Sequence, residues 1–407
     1  MKIKKCRNCN KNKFINLFSL GKLAYTGKFS IKKQSIKKAP ISLQMCAKCK
    51  LVQLGNNFSL KYLYGLDYGY RTGINKTMTN HMKNIVFNLT KISGIKRNEA
   101  ALDVASNDGT LLNFYNRKII TFGIDPVLKK YKKNYKYIDY SVSNFFNYNL
   151  IKKKIKKKFK IITALSVFYD LKKPNSFLRD IERLIEDEGV ILLEFADLHS
   201  IIKHNMFDTI CHEHLEYYSL SVIKKMLKKN NLKLFDVKKN SINGSSKQFY
   251  ICKKNSKYKV KLNKINKLLK EEKRFNLDKK NTYIKFKNNI DNLKKKLILK
   301  IQEIQKKKQI IHGYGASTKG NVILQYFGIT KDHIPYIADR NPKKYNLFTP
   351  GNKIQIISEK KSRSMRPDYY LVLPWHFKKE IILRENKTIK NSVSFIFPLP
   401  KFKIIRN

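Results

Sequence analysis

The sequence predicts an α/β protein, with two sheet-and-helix units behind a small cysteine-bound head. Three observations carry that reading. Short apolar segments alternate with helical stretches from residue 99 to about 252, which implies a parallel sheet with crossover helices. The alternation resumes at Gln309, after a Lys-rich helical stretch, and opens a second α/β unit. Two CxxC pairs, Cys6/Cys9 and Cys46/Cys49, stand near the start of the chain. A length of 407 residues suits two or three domains at about 150 residues each. The boundaries expected are 1–62, 63–252 and 253–407.

Composition narrows the function classes. A hydrophobic content of 42% supports packed cores rather than global disorder. Six cysteines are too few for a secreted disulfide scaffold of this size. The start MKIKKCRNCN is basic with no apolar stretch behind it, so no signal peptide and a cytoplasmic location are expected. Apolar runs such as Val190 to Leu193 fall far short of the ~20 residues a membrane span needs. Lys plus Arg number 87 and Asp plus Glu 29, a formal net charge of +58. That field favours anionic small molecules and non-specific polyanion contact, and salt weakens both. It does not specify nucleic-acid recognition. The lysines are spread along the chain, only IKKKIKKKFK (151–160) is dense, and no basic zipper, two-Cys two-His finger or RNP-like pattern occurs. Lys, Asn, Ile, Tyr and Phe are enriched together, as A/T-rich codons would enrich them. A monomer without membrane or specific nucleic-acid partner is expected; a basic nucleic-acid reader built on the cysteine pairs is the non-enzyme alternative.

The head comes first. Two thiolates in one tight turn reach the same tetrahedral ion, and two such turns complete a four-cysteine site. Cys6, Cys9, Cys46 and Cys49 are therefore expected to hold a structural Zn2+, with no position open for a catalytic water. The redox reading of CxxC is weaker because neither pair follows a first strand in the thioredoxin manner. Residues 61–98 read as mostly helical, with Met78, Met82, Ile85 and Leu89 at helical spacing.

The strands of the first unit follow as AALDVA (100–105), TFGID (121–125), KIITALSV (160–167) and GVILLEFA (189–196). The loop ALDVASNDGTLL (101–112) leaves the first of them and is expected to open a helix. Asp103 ends the strand, and Gly109 allows close approach to the backbone. Ala105 and Asn107 stand where a dinucleotide fingerprint has glycines. Asp125, at the end of the next strand, is placed to accept hydrogen bonds from ribose hydroxyls. Without a Gly-x-Gly pair a pyrophosphate fits poorly, and S-adenosylmethionine, a nucleoside without phosphates, fits better than NAD.

The densest chemistry is EFADLHSIIKHNMFDTICHEHLEYYSL (194–220), which holds His199, His204, His212, Glu213, His214, Tyr217 and Tyr218. It follows a strand and so lies near the C-terminal edge of a parallel sheet, where ligands bind. HEH is not HExxH, because a zinc protease needs histidines four apart on a helix face. A metal there lacks a clear third ligand, and acid–base work by an imidazole near neutral pKa is the better reading. Further on, Ile290, Leu293, Leu297, Ile301 and Ile304 form an apolar stripe on the long helix. The second unit follows as QIIHGYGASTKGNVILQYF (309–327), YIADR (336–340) and DYYLVLPW (368–375). Its GYGASTKGN turn can hold an anion with Lys319, or serve only as a tight turn.

Taken jointly, these segments resemble the S-adenosylmethionine-dependent C-methyltransferases that act on nucleotide-linked keto-sugars. The resemblance covers nearly the whole chain. It runs through CKLVQL (49–54), LYGLDYGYRTGINKTM (63–78), ASNDGTLL (105–112), GIDP (123–126), FDTICHEHLEYYSL (207–220), GYGASTKGNVILQYFGI (313–329), ADRNPKK (338–344), TPG (349–351) and PDYYLVLPWHF (367–377). It implies a zinc-binding head, a central class I Rossmann-like methyltransferase domain and a second Rossmann-like domain at the C-terminus. It implies His214 as general base, Glu213 in the same site, and Tyr70 or Tyr68 reaching over it. S-adenosylmethionine would be held by Asp103, Ser106, Asn107, Gly109 and Asp125. Relatives often have Tyr where this chain has Cys211, and INGSS (242–246) stands where they have a more glycine-rich turn. An O- or N-methyltransferase with the same cofactor loop is the enzyme alternative.

Overall fold

A computed structural model describes residues 1–31, 35–65 and 69–406. The N-terminal region folds as a hairpin. β1 (Phe14–Ala24) runs antiparallel to β2 (Lys38–Cys46), and Phe14 faces Cys46 across the ladder. That register folds the long segment between the CxxC pairs back on itself and brings the pairs together. β3 (Val52–Leu54) adds to β2.

The central unit starts after the helix Lys76–Ser93, which buries Met78, Met82, Ile85 and Leu89 as the spacing predicts. Asn75 caps its first turn, and Gly94 closes it in the left-handed conformation. β4 (Ala100–Val104), β5 (Ile120–Ile124), β6 (Tyr140–Val142), β7 (Phe159–Leu165) and β8 (Ile185–Phe195) pair in parallel. The next strand, β9 (Glu216–Tyr217), leaves this sheet and pairs with β3. The chain then returns through β10 (Leu232–Asn240) and β11 (Ser246–Lys253), and the seven-stranded order is β10-β11-β8-β7-β4-β5-β6. β11 is antiparallel to both of its neighbours.

The Lys-rich stretch forms two helices, Leu262–Arg274 and Lys280–Lys306, rather than one. Asn276, in the break, holds a positive φ of 50°, which an Asn side chain tolerates and a helix does not. The second helix buries Ile290, Leu297, Ile301 and Ile304, with Leu293 packed at the margin of the same core. Its first turns meet the N-terminal sheet, where Phe286 and Phe18 have ring centroids 5.9 Å apart. The third sheet contains β12 (Ile311–Tyr314), β13 (Tyr336–Asp339), β14 (Gln355–Ser358), β15 (Tyr369–Val372), β16 (Ser394–Phe397) and β17 (Lys403–Ile405). Its order is β14-β13-β12-β15-β16-β17, parallel except for β17.

Both α/β units thus have a first strand flanked on its two sides by the strands that follow it. That is the switch point at which open sheets leave a crevice at their strand ends. No helix of the described residues is long and apolar enough to cross a membrane.

The bridging helix gives a stability test. Leu297 is fully buried and Leu299 is 66% exposed two residues on. Leu297→Ala is expected to cost about 2–5 kcal/mol. Leu299→Ala is expected to stay within about 0.5 kcal/mol, as surface changes do. Urea unfolding of the full chain reads both.

Candidate active site

The four head thiols meet at one point. Cys6 Sγ lies 3.6 Å from Cys49 Sγ, and Cys9 Sγ lies 3.5 Å from Cys46 Sγ. All four sulfurs fall within 4.8 Å of one another. Four sulfurs about 2.3 Å from a tetrahedral ion would stand about 3.8 Å apart, so the set fits zinc. The two knuckles use the same turn: Asn10 N–H donates to the Cys6 carbonyl and Lys50 N–H to that of Cys46, each at 3.0 Å and each with φ near 60°. Gln53 Nε2 donates to Cys6 Sγ at 3.3 Å. The hydrogen bond from Cys49 pulls the Cys6 thiol down to about 5 and leaves Cys49 high, so one thiolate forms readily and further ones need a counter-charge.

Arg7, between the first two cysteines, reaches out of the head. Its guanidinium is buried and donates to the carbonyls of Leu54 (2.9 Å), Asn56 (2.8 Å) and Leu215 (3.3 Å). It also stands 3.6 Å from the buried Glu216 carboxylate. Leu215 and Glu216 directly follow the HEH segment.

In the central unit, Asp103, Ser106, Asn107, Gly109 and Asp125 gather at the ends of β4 and β5. Asp125 accepts the Asn107 N–H at 2.9 Å and the Val127 N–H at 2.8 Å. Ala105, Asn107 and Gly109 hold φ of 59°, 50° and 75°. The backbone therefore keeps a glycine-like path although two of the three residues are not glycine. Asn accepts that region readily, whereas at Ala105 it costs of order 1–3 kcal/mol. A Cβ on Gly109 would lie 2.8 Å from Ile138 Cδ1.

The expected helix does not follow this loop. Only a short turn, Leu112–Phe114, forms before β5. Asn113 turns its side-chain amide onto the Gly109 and Asn134 carbonyls at 3.0 and 2.9 Å, in competition with helical backbone bonding. No helix N-terminus is therefore offered to an anion here. Three buried carboxylates, Asp103, Asp108 and Asp125, surround the loop instead. Burial pushes Asp103 up to about 7, against the Thr163 hydroxyl that donates to it at 2.5 Å. Such a set repels pyrophosphate and suits a nucleoside carrying a positive sulfonium.

The segment before the domain closes over the loop. Arg71 Nε pairs with Asp108 at 3.0 Å, and Asn107 takes the Thr72 N–H at 3.0 Å. Asn107 Nδ2 donates to the Tyr70 carbonyl at 3.2 Å, while Tyr70, 47% exposed, lines a cleft formed by the head, residues 69–78 and the C-terminal unit. Tyr68 lies outside the described residues.

The histidines of HEH part company. His212 is fully buried between Tyr25 and Phe58, with ring centroids 4.5 and 4.9 Å away, and its Nε2 donates to the Ala39 carbonyl at 3.2 Å. It belongs to the head's core. His214 alone among residues 211–218 is not fully buried. Its Nδ1 lies 2.6 Å from the Thr209 carbonyl. A carbonyl only accepts, so Nδ1 carries the hydrogen and Nε2 is left as an acceptor. Its ring centroid lies 4.2 Å from that of Tyr169. Desolvation lowers His214 to about 3, with the Thr209 carbonyl opposing and the charge of Lys319 adding. Glu213 is buried and accepts from Thr26 Oγ1 at 3.3 Å; burial raises its carboxyl. The Cys211 thiol is buried and hydrogen-bonds Glu213. Among the described residues, the four head cysteines form the one cluster able to hold a metal.

The second unit repeats the cofactor-loop geometry. Ala316 N–H and Asn341 N–H donate to the two oxygens of Asp339 at 2.8 and 2.7 Å, as Asn107 and Val127 do to Asp125. The GYGASTKGN turn does open a helix, Thr318–Phe327, capped by Ser317. Lys319 turns away from the strand ends, and its Nζ donates to the Asn243 carbonyl at 2.9 Å. Sequence reading missed Thr209, Tyr169 and Arg7. Thr209 and Arg7 lie within quoted motifs, but each of the three acts through a carbonyl, a ring face or a cross-domain contact that spacing does not encode.

Comparison with known proteins places these features. Residues 47–237 match the family model of a methyltransferase domain, and residues 241–400 that of a C-methyltransferase C-terminal domain. The C-methyltransferase NovU of Streptomyces niveus is 23% identical over 413 residues, covering 99% of this chain and 97% of that protein. Among solved structures, an S-adenosylmethionine-dependent methyltransferase from Clostridium acetobutylicum matches at 12% identity and TM-score 0.36, covering 43% of this chain and 91% of that one. The magnesium protoporphyrin IX methyltransferase of Synechocystis, solved with bound SAH, matches at 14% identity and TM-score 0.34, covering 46% and 90%. With a methyltransferase domain joined to a C-methyltransferase C-terminal domain, the chain belongs to the S-adenosylmethionine-dependent C-methyltransferases.

Proposed function

We propose that this C-methyltransferase acts on the carbon beside the keto group of a nucleotide-linked sugar, with His214 as general base. The observation that carries the reading is the fixed tautomer: Thr209 holds the Nδ1 hydrogen, and Nε2 is free to take a proton. The bound cofactor supplies a methyl group already activated on sulfur, so the chain's own task is to make a carbon nucleophile and orient it.

Asp125 and the loop from Ala105 to Gly109 would hold the cofactor's nucleoside. The crevice of the second unit would take the substrate nucleotide. There Asp339 repeats the position of Asp125, and the Arg340 guanidinium beside it has no protein partner among the described residues. Arg340 and Lys344 line the same cleft as Tyr70, and they suit phosphate oxygens. Tyr70 would cover the sugar from the rim. Glu213, beside the Gly27 backbone at the inner end of this cleft, would meet a sugar hydroxyl. His214 would remove the proton that the keto group acidifies, and the resulting enolate carbon would accept the methyl group. Transfer to oxygen or nitrogen would need no enolate, so hydrogen exchange at that carbon separates the two chemistries.

Three results are expected. His214→Asn lowers kcat by about 10²- to 10⁴-fold while the affinity for S-adenosylhomocysteine, read by calorimetry, is kept; full turnover in that variant would show that another group is the base. The pH profile of kcat/KM shows no loss near pH 6.5. A lowered imidazole remains in its neutral, proton-accepting form at that pH and is lost only as pH falls toward about 3. An acid limb at pH 6 to 7 that disappears in His214→Asn would contradict this. Finally, elemental analysis should find one zinc per chain. Chelation should lower both the melting temperature and kcat, because the knuckle carrying Arg7 braces the strand after His214. A metal-free protein that melts and turns over unchanged would defeat that assignment.

A further inference from the structure

Lys319 follows Thr318, which stands with Glu213 against the Gly27 backbone, where a Cβ would lie 3.6 Å from the Thr318 hydroxyl and 2.8 Å from the Glu213 carboxylate. From there its charge acts on His214, a position costly for a base. A cation beside an imidazole opposes the imidazolium that proton abstraction must create. The arrangement is productive only if the same step creates a negative charge that the cation can meet. Three observations indicate where that charge would form. The ammonium makes one hydrogen bond, to the Asn243 carbonyl, and its two remaining N–H groups have no acceptor among the described residues. No carboxylate of the described residues lies within 4.0 Å of it. The nearby Asp208 already accepts from Trp375 Nε1 at 2.8 Å. The Asn243 carbonyl that aims the ammonium is itself rigidly held: Asn243 has φ of 54°, and a Cβ on the adjacent Gly244 would lie 2.5 Å from the Trp375 ring.

We propose that Lys319 is the oxyanion-stabilising residue of the reaction: it donates a hydrogen bond to the substrate's carbonyl oxygen while His214 Nε2 takes the proton from the neighbouring carbon. This rests on the C-methylation reading above. In the step, the C–H bond breaks and its electron pair forms the carbon–carbon double bond of the enolate. The carbonyl π pair moves onto oxygen beside Nζ, and the proton becomes the Nε2 hydrogen of an imidazolium. The enolate carbon then bonds to the transferred methyl, the sulfur–carbon pair returns to sulfur, and the imidazolium releases its proton to water. A buried ammonium that is ordered before the substrate arrives needs no reorganisation as the charge develops.

The test separates proton abstraction from methyl transfer. Full-length wild type, Lys319→Met, Lys319→Arg, Lys319→Ala and His214→Asn are saturated with S-adenosylhomocysteine, which blocks transfer. Each is incubated in D2O with thymidine- and uridine-diphosphate 4-keto-6-deoxyhexoses, and deuterium entering beside the ketone is followed by NMR. Wild type should exchange. Lys319→Met should exchange about 10²- to 10³-fold more slowly with little change in KM, the loss seen when one oxyanion donor is removed. Lys319→Arg should recover part of the rate, and added ethylammonium should accelerate Lys319→Ala, an effect that a purely structural counter-charge to Asp208 does not produce. Exchange at the wild-type rate in Lys319→Met, with His214→Asn inactive, overturns the role of Lys319 and leaves the base in place. If Lys319→Met does not fold, failure of both the Arg variant and the amine rescue overturns it. Methyl transfer by wild type without any exchange overturns the enolate reading itself, and the role of Lys319 with it.

Discussion

The pairing of β3 with β9 is the constraint on which the site depends. β9 is only two residues long, and it lies within the span of the central methyltransferase domain. It nevertheless completes the sheet of the cysteine head, with Gln53 opposite Glu216. The loop that carries His214 is thereby suspended between two folding units. Leu215 N–H donates to the Tyr169 carbonyl at 2.7 Å on one side, and the Leu215 carbonyl receives Leu54 N–H at 2.9 Å and Arg7 on the other. A two-residue strand has little stability alone. It holds because Arg7 is buried against it and because the knuckles fix Arg7. The Arg7 guanidinium thus ties the four-cysteine head to the loop that carries His214.

The two α/β units show how one topology is turned to different ligands by its side chains. Both carry an acid at the end of the second strand of the switch point, and in both that acid ties down two backbone N–H groups of the loops beside it. In the central unit two further carboxylates join it, and a path made for glycine is held by Ala105 and Asn107. In the C-terminal unit a true glycine at Gly315, with φ of 81°, opens the turn, and Arg340 and Lys344 follow the acid. The local field is therefore acidic at one crevice and mixed, with a free cation, at the other. The chain's +58 charge predicts neither, because the fields that select ligands come from a few buried groups at short range.

The charge of Lys319 reaches His214 although 105 positions separate them in the chain. The helix bearing Lys319 is held against the head, where Asn321 donates to the Thr26 carbonyl at 2.7 Å and Gln325 bonds both backbone groups of Ala24. The turn that aims Lys319 belongs to the central unit. The reacting centre proposed above thus lies where three units adjoin, and none of them contains it alone. Cys211, also buried at this junction, sets a weak donor beside Glu213.

By itself the sequence determined the kinds of element and most of the chemistry. Short apolar runs and apolar residues at three- and four-residue steps located the core strands, the helix Lys76–Ser93 and the buried stripe of the bridging helix, because burial acts on each residue where it stands. Paired CxxC knuckles and strand-end acids were legible for a similar reason: their geometry is local, a tight turn or the end of a strand. Tertiary structure decided the rest. The burial of His212 depends on a core made of Tyr25 and Phe58, distant in sequence. The turn after Asn107 lost its expected helix to side-chain competition, with Asn113 bonded to the Gly109 and Asn134 carbonyls. The partner of Nδ1, the brace from Arg7 and the placement of Lys319 all rest on long-range packing. Such contacts follow from how whole units dock, which no local period or spacing encodes.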